Sequence, residues 1–485
     1  MKPLSSPLPR KFAGALFAST LLLASLSAAA ADALPRPVQQ ALLAANIPVG
    51  SVAIVVQELG RPRPALAHNA DAAMNPASTM KLLTSFAALE LLGPAYAWKT
   101  EFLAGGPLRN GVLEGDLIIK GYGDPKMTVE NFWLALRKLR ALGVRDIRGD
   151  LVLDRSWFEA VDTDPTRFDN EPLRPYNVVP DALLVNLKAV RFTFVPNAVN
   201  RTVSIAHEPL MAQLEVAPQL RLTEGDCGDW RAGLKADFRA DNGGVRASFA
   251  GTYPASCGER TWNVSLFSHP HYVYGVFKQM WLQAGGGIAG GVRDGTVPAT
   301  AQLLFSVESP ALAEVVRDIN KFSNNVMARQ LFLTLSAETL KQPARNDRSN
   351  EVVQGWLAQR GLALPGLVME NGSGLSRVER ISAGGMARLL DAAFQSAVMP
   401  EFIASLPLVA LDGTMRRRLK FDSIAGKAHI KTGSLADART IAGYVLDQNG
   451  RRHVVVFFIN HANARQGQAA QDALLQWVYE SGSQK

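Results

Sequence analysis

The sequence predicts an α+β fold: an antiparallel sheet flanked by helices on both sides and interrupted by a long β-rich insert. Three observations predict it. Apolar, strand-like runs lie near both ends of the chain, at 51–56 and at 428–432, 439–446 and 453–459. Helical periodicity surrounds them, at 311–322, 326–335 and 351–360 among others. Between about 99 and 300, glycine turns, prolines and short β-like runs dominate instead.

The elements follow in order. Residues 51–56 (Ser-Val-Ala-Ile-Val-Val) read as a buried strand. Asn75-Pro76 offers a helix N-cap followed by proline at the first helical position. Met80, Leu82, Leu83, Phe86, Ala87 and Leu91 then supply a broad apolar face, and Gly93-Pro94 stops the helix. Inside the β-rich stretch one helical piece, 129–142, interrupts strand-like runs such as 115–121, 151–154 and 191–195. Ser382 caps a helix running to about 397. The last three strand-like runs follow one another across short turns, as antiparallel neighbours do. A final helix covers about 468–481.

A chain of 485 residues exceeds the span of one hydrophobic core, so at least two domains are expected. With 47% apolar and 19% charged residues, disordered and fibrous classes are excluded. The N-terminus has its own logic. Lys2, Arg10 and Lys11 precede an apolar stretch, 12–26, and then Ala28-Ala29-Ala30-Ala31-Asp32. This is the layout of a cleaved secretory signal over 1–31, with a retained anchor as the alternative. The stretch is short and rich in Ala and Ser for a membrane span. Export, most simply to the periplasm, follows.

Removing Lys2, Arg10 and Lys11 lowers the basic count from 51 to 48, which against 43 acids leaves a mature charge of +5. That modest excess suits anionic wall polymers. It leaves room for loose membrane association and does not specify an oligomeric state. No Lys/Arg run is dense enough for nucleic acid, and Arg416-Arg417-Arg418 reads as a solvated turn. Cys227 and Cys257 are the two cysteines. In an oxidising compartment they allow one disulfide; two free thiols are the other reading. Neither has metal-ligand spacing to a His or a second Cys, no His-Glu-x-x-His is present, and no metal or cofactor is expected. His269 and His271, in a Pro-flanked segment, read as surface-loop histidines.

Three short motifs carry chemistry. Ser78-Thr79-Met80-Lys81 opens a predicted helix, Ser323-Asn324-Asn325 lies at a break between two helices, and Lys431-Thr432-Gly433 ends a predicted strand. Each alone is weak, since Ser and Lys are common on helix surfaces and K-T-G is usually a turn. Their order and placement on the expected elements make the conjunction specific. Residues three apart share a helix face, so Lys81 reaches the Ser78 hydroxyl. An amine serves as base only when neutral, and burial plus a second cation, Lys431, favour that form. The helix N-terminus favours a developing oxyanion. Ser323 is then placed to relay the proton to the leaving amine, and Asn325 to hold Lys81. Lys431 and Thr432 would receive a substrate carboxylate, and the Ser434 N–H would complete an oxyanion hole with that of Ser78.

These motifs resemble the serine β-lactamases and penicillin-binding proteins. Ser323 lies 245 residues after Ser78 (323 minus 78), and that long gap resembles the D-Ala-D-Ala carboxypeptidase/endopeptidases called class C low-molecular-mass penicillin-binding proteins, peptidase family S13. Gly121-Tyr122-Gly123-Asp124-Pro125, Pro175-Tyr176-Asn177, Pro180-Asp181-Ala182-Leu183 and the run from Glu370 to Arg377 are similar to the same family. The resemblance spans essentially the whole mature chain.

It implies a β-lactamase/transpeptidase-like domain (32–98 and 306–485), a second domain inserted in it (99–190 and 263–305), and a third inserted in the second (191–262). It implies an acyl-enzyme on Ser78, substrates that are peptidoglycan stem peptides ending in D-Ala-D-Ala or crosslinked through D-Ala, and inhibition by β-lactams. Arg377 occupies the position that binds the free end of the diaminopimelate side chain. Relatives also use an acidic residue five before an aromatic for the side-chain amine. Glu171 and Tyr176 have that spacing, although Asp is more usual there. A β-lactamase is a rival reading, but the Glu-x-x-x-Asn spacing of class A enzymes occurs only at Glu259 to Asn263, before Ser323. A penicillin-binding sensor or scaffold with little catalysis is the other rival.

Overall fold

The computed structural model describes residues 34–159, 164–241 and 244–481. The signal-peptide expectation falls outside them. Among the described residues, no helix is long and apolar enough to cross a membrane.

The two ends of the chain meet in one five-stranded sheet. Its order is Leu66–His68, Val52–Glu58, Arg452–Asn460, Ala438–Leu446, Ala428–Ser434, and every neighbouring pair is antiparallel. The central strands read as unbroken apolar runs because both of their faces are covered. Ala53, Val55, Val454, Val456 and Phe458 join one core with Phe86, Phe332 and Leu390, from the helices Lys81–Leu92, Asn325–Leu340 and Ala383–Phe394. Val52, Ile54, Val56, Val455, Phe457 and Ile459 join the other with Val38 and Leu474, from the helices Arg36–Ala44 and Gln468–Glu480. Successive strand residues point to opposite faces, so one run fills two cores. Each of the Val, Leu, Ile and Phe side chains among them contributes about 1.5–3 kcal/mol on burial.

The insert divides into two β-rich parts. A five-stranded and a four-stranded sheet, drawn from 99–154 and 287–308, pack with the helices Val129–Ala141 and His269–Gln283. Two three-stranded sheets occupy 190–264. Their core is aromatic: Phe194 packs edge-on to Phe249 at 5.2 Å and to Trp230 at 5.3 Å between centroids. Cys227 and Cys257 are joined in a disulfide, with Cα atoms 4.7 Å apart.

Several expectations need correction. The helix after Pro76 does not begin at once. Ala77–Met80 forms a 3₁₀ turn, with Ala77 left-handed at φ 45°, and α-helix starts at Lys81. Asn75 Oδ1 accepts from the Ala77 N–H at 2.9 Å, a local turn rather than a helix cap. The expected helix at 351–360 begins earlier, at Asn346, because its first turn, Asn346-Asp347-Arg348-Ser349, is wholly polar and carries no apolar periodicity. The Ser382 helix ends at Phe394, three residues short of expectation, and the Ser382 hydroxyl accepts from the Gly385 N–H as a cap. Arg418 is not solvated: it is 7% exposed and its Nε donates to Asp472 at 2.8 Å. His269 and His271 start a helix rather than a loop, since Ser268 caps it and Pro270 sits in its first turn. The His269 ring is largely buried and Nε2 lies 3.0 Å from the Val179 carbonyl.

One buried side chain ties the insert to the helix that carries Asn325. Gln330 Oε1 accepts from the Asp181 N–H at 2.8 Å, and its Nε2 donates to the carbonyls of Asp181 at 2.8 Å and Gly123 at 3.2 Å. Two of the stretches singled out by resemblance therefore meet at this residue. Gly121 is small for a related reason: a Cβ there would collide with the backbone of Ala182 and Leu183.

Candidate active site

The turn that presents Ser78 is fastened on three sides. Asn75 donates through Nδ2 to the Ser376 carbonyl at 2.9 Å and exchanges hydrogen bonds with Asn460 at the end of the central strand. Thr440, on the neighbouring strand, donates to the Pro76 carbonyl at 2.7 Å. A Cβ on Gly433 would lie 2.8 Å from the Ser78 nitrogen, so only glycine lets the Ala428–Ser434 strand pass this close to the nucleophile.

Lys81 is 0% exposed. Its Nζ lies 3.0 Å from Ser78 Oγ, 2.6 Å from Asn325 Oδ1, and in a short contact with the Ser373 carbonyl. Burial pushes its pKa well down, the nearby Lys431 and Arg329 cations add to that, and Glu379 opposes them. A neutral amine has two N–H groups and one lone pair. Asn325 Oδ1 and the Ser373 carbonyl can only accept, so they take both N–H groups. The lone pair is left facing the Ser78 hydroxyl, which is the arrangement a general base needs.

Ser323 terminates the helix Leu312–Phe322 in a left-handed conformation, φ 57° and ψ 39°. This turns the chain so that Asn324 caps the next helix, accepting from the Met327 N–H at 3.1 Å, and Asn325 opens it. Lys431 Nζ donates to Ser323 Oγ at 2.8 Å and to the Thr432 carbonyl at 2.7 Å. Burial alone lowers the Lys431 pKa to about 7. Thr432 donates to Thr414 at 2.7 Å, and Ser434 is exposed beside it. Lys81, Asn325 and Ser78 thus form one linked group, and Ser323 and Lys431 a second whose cation faces the first. Among the described residues, no group of His, Cys, Asp or Glu could hold a metal ion.

The family profile described as D-Ala-D-Ala carboxypeptidase 3 (S13) matches residues 35–481. The chain belongs to this S13 family. It is a serine-type D-alanyl-D-alanine carboxypeptidase. A D-alanyl-D-alanine carboxypeptidase of Actinomadura sp. (strain R39) is 29% identical over 387 residues, covering 77% of this chain and 71% of the relative. D-alanyl-D-alanine carboxypeptidase DacB of Haemophilus influenzae is 25% identical over 421 residues, covering 86% of this chain and 87% of the relative. The crystal structure of penicillin binding protein 4 (dacB) from the same organism superposes with a TM-score of 0.77 at 22% identity, over 92% of this chain and 100% of that one, which establishes the transpeptidase-like fold.

Around the S13 motifs, the remaining candidate residues are placed as follows. Arg377 Nη1 lies 3.3 Å from Asp437 Oδ1, just beyond the K-T-G strand, and its guanidinium stacks 4.5 Å over the Phe168 ring. Tyr176 donates to Asp169 Oδ2 at 2.8 Å. Glu171 turns to Arg174 instead, at 3.3 Å. Asp169, which also accepts from Asn177 Nδ2 at 2.7 Å, is therefore the acid that partners Tyr176. It is an Asp, the usual residue type, two positions before Glu171. The sequence reading also missed the Ser373 carbonyl, Arg329 and Glu379. A main-chain acceptor leaves no sequence signal. Glu379 follows Arg377 by two positions, and nothing in its spacing sets it apart from a surface charge.

Proposed function

We propose that this carboxypeptidase works through an acyl-enzyme on Ser78, with neutral Lys81 as the base. The single observation that carries this is the Lys81 amine, fully buried, 3.0 Å from Ser78 Oγ and with both N–H groups taken by carbonyl oxygens. Ser78 Oγ attacks the carbonyl of the penultimate D-alanine while Lys81 takes its proton. The oxyanion forms at the helix N-terminus, where the Ser78 and Ser434 N–H groups are the intended donors. Ser323 passes a proton to the departing amine, and water then cleaves the ester. Lys431 and Thr432 hold the terminal carboxylate of the substrate.

The leaving amine is D-alanine in the carboxypeptidase reaction, or the side chain of a neighbouring stem in cleavage of a crosslink. Both use the same nucleophile. Arg377, Tyr176 and Asp169 are our candidates for the free end of the stem side chain, with Asp169 in place of Glu171. A β-lactam mimics the D-Ala-D-Ala end and leaves an ester on Ser78. On this reading the protein acts outside the cytoplasm, in the periplasm, and the chain divides at about 99 and 306 into a catalytic part and an insert.

The test is mass spectrometry of the Ser78 peptide after penicillin treatment, paired with product analysis on crosslinked muropeptides. A penicilloyl adduct on Ser78, with D-alanine or separated stems released, is expected. Unlabelled Ser78, or a labelled protein inert on every muropeptide, contradicts the proposal.

A further inference from the structure

Behind the nucleophile lies a buried carboxylate that the reaction described above does not use. Glu379 is 0% exposed. Its Oε1 accepts backbone N–H groups from Glu370 at 3.1 Å, Asn371 at 2.9 Å and Gly372 at 2.9 Å, and its Oε2 accepts from Gly374 at 2.9 Å. One side chain thus holds four main-chain donors of a five-residue segment. The residue between Gly372 and Gly374 is Ser373, whose carbonyl takes an N–H of Lys81.

The segment is clamped from the opposite side as well. Thr84, one helical turn beyond Lys81, donates to the Gly372 carbonyl at 2.7 Å. Gly372 and Gly374 are left-handed, at φ 69° and 77°. A Cβ on Gly374 would collide with the Ala77 carbonyl and sit 2.7 Å from the Ser78 nitrogen. The path of this segment therefore decides where the Ser373 oxygen stands relative to Lys81.

We propose that Glu379 is a positioning residue for acylation: as a carboxylate it shapes the 370–374 segment so that the Ser373 carbonyl orients the Lys81 lone pair toward Ser78, and its charge acts on that amine. The proposal rests on the acyl-enzyme reading of Ser78 and Lys81. Burial pushes the Glu379 pKa up, while the N–H groups of Asn371, Glu370 and Gly372 and the Lys81 charge oppose this. Its four bonds are all acceptor bonds, which the ionised form satisfies best. The charges facing Lys81 are Lys431 from the K-T-G strand, Arg329 from the Asn325 helix, and Glu379. The first two favour the neutral amine; Glu379 alone favours the protonated one.

This combination separates positioning from mere bracing. Glu379→Gln keeps the shape of the side chain and removes the charge. The rate of Ser78 labelling by a fluorescent penicillin, followed against pH in the full mature protein, is expected to fall by about 10- to 100-fold at neutral pH, as for a misplaced base. Its acid limb is expected to move to lower pH, because Lys81 loses a neighbouring anion. Glu379→Asp keeps the charge but draws it back; the rate is expected to fall while the acid limb stays in place.

A residue that only braced the loop would lower the labelled fraction or the unfolding temperature and leave the limb of Glu379→Gln where it was. That result overturns the proposal, as does a Glu379→Asp variant of wild-type rate. Should Glu379→Gln not fold, Glu379→Asp decides alone. Wild-type protein unlabelled at Ser78 would instead sink the acyl-enzyme reading on which this one stands.

Discussion

The sheet that bears the active site and the insert between its first two motifs bury their residues in different ways. The strand Arg452–Asn460 is buried at every interior position, because helices cover both of its faces. In the insert, Val190–Asn197 alternates buried and exposed residues at its start, packing one face on an aromatic core. A two-sided sheet needs no covalent help and can hold a 0%-exposed lysine in register. The one-sided part carries the only disulfide among the described residues. The difference shows in the lysines: burial holds Lys81 and Lys431, at the two-sided sheet, below the ordinary value, Lys431 to about 7, whereas the insert's Lys188 is lowered only to about 8.

The predictions test how separate these two regions are. The largest effect belongs to Ser78→Ala. Penicillin labelling and D-alanine release are expected to fall by about 10⁵-fold or more, while thermal unfolding shows a stability change within about 0.5 kcal/mol. A large loss of stability would mean that the site is part of the scaffold and would break the comparison.

Next comes the pH dependence of substrate capture. Lys431 is protonated below its pKa of about 7 and neutral above it. The kcat/KM for a peptide with a free terminal carboxylate is expected to decline as pH rises past about 7, whereas the same peptide with an amidated terminus has no such limb. Equal profiles for the two peptides would remove Lys431 from carboxylate recognition.

Arg377→Ala has a smaller and more selective effect. Turnover of stems with a free side-chain carboxylate is expected to drop about 10-fold, as for one lost charged hydrogen bond. Penicillin labelling, which offers no such group, is expected to hold. The smallest effect on activity belongs to the insert. Replacing Cys227 and Cys257 by serine is expected to destabilise the 190–264 sheets by about 2–4 kcal/mol, seen by hydrogen exchange, with Ser78 labelling at 25 °C unchanged.

The same division governs what the sequence made legible. Ser78, Lys81, Ser323, Asn325 and Lys431 stand out because chemistry dictates residue type and spacing, and the structure brings them within hydrogen-bond reach of one another in two linked groups. The outer strands and helices were visible from continuous or periodic apolar runs. Three things were not visible. The 3₁₀ turn at Ala77–Met80 depends on a backbone angle that Ala does not announce. The Ser373 carbonyl is main chain. Gln330 and Arg418 are polar residues whose partners are far off in sequence, 207 positions for Gln330 and Gly123 and 54 for Arg418 and Asp472, and Glu379 is enclosed by a turn that folds back on it. Spacing points to Glu171, and the Tyr176 hydroxyl donates to Asp169, two positions earlier.

The central claim is that Lys81 is neutral when it meets the Ser78 hydroxyl. The most direct measurement is the rate of Ser78 labelling by penicillin across the pH range in wild-type protein. The rate should rise along an acid limb whose midpoint lies well below 10.5, the ordinary lysine value. A limb centred near 10.5, with the protein still folded, would show a charged lysine at rest and contradict the account.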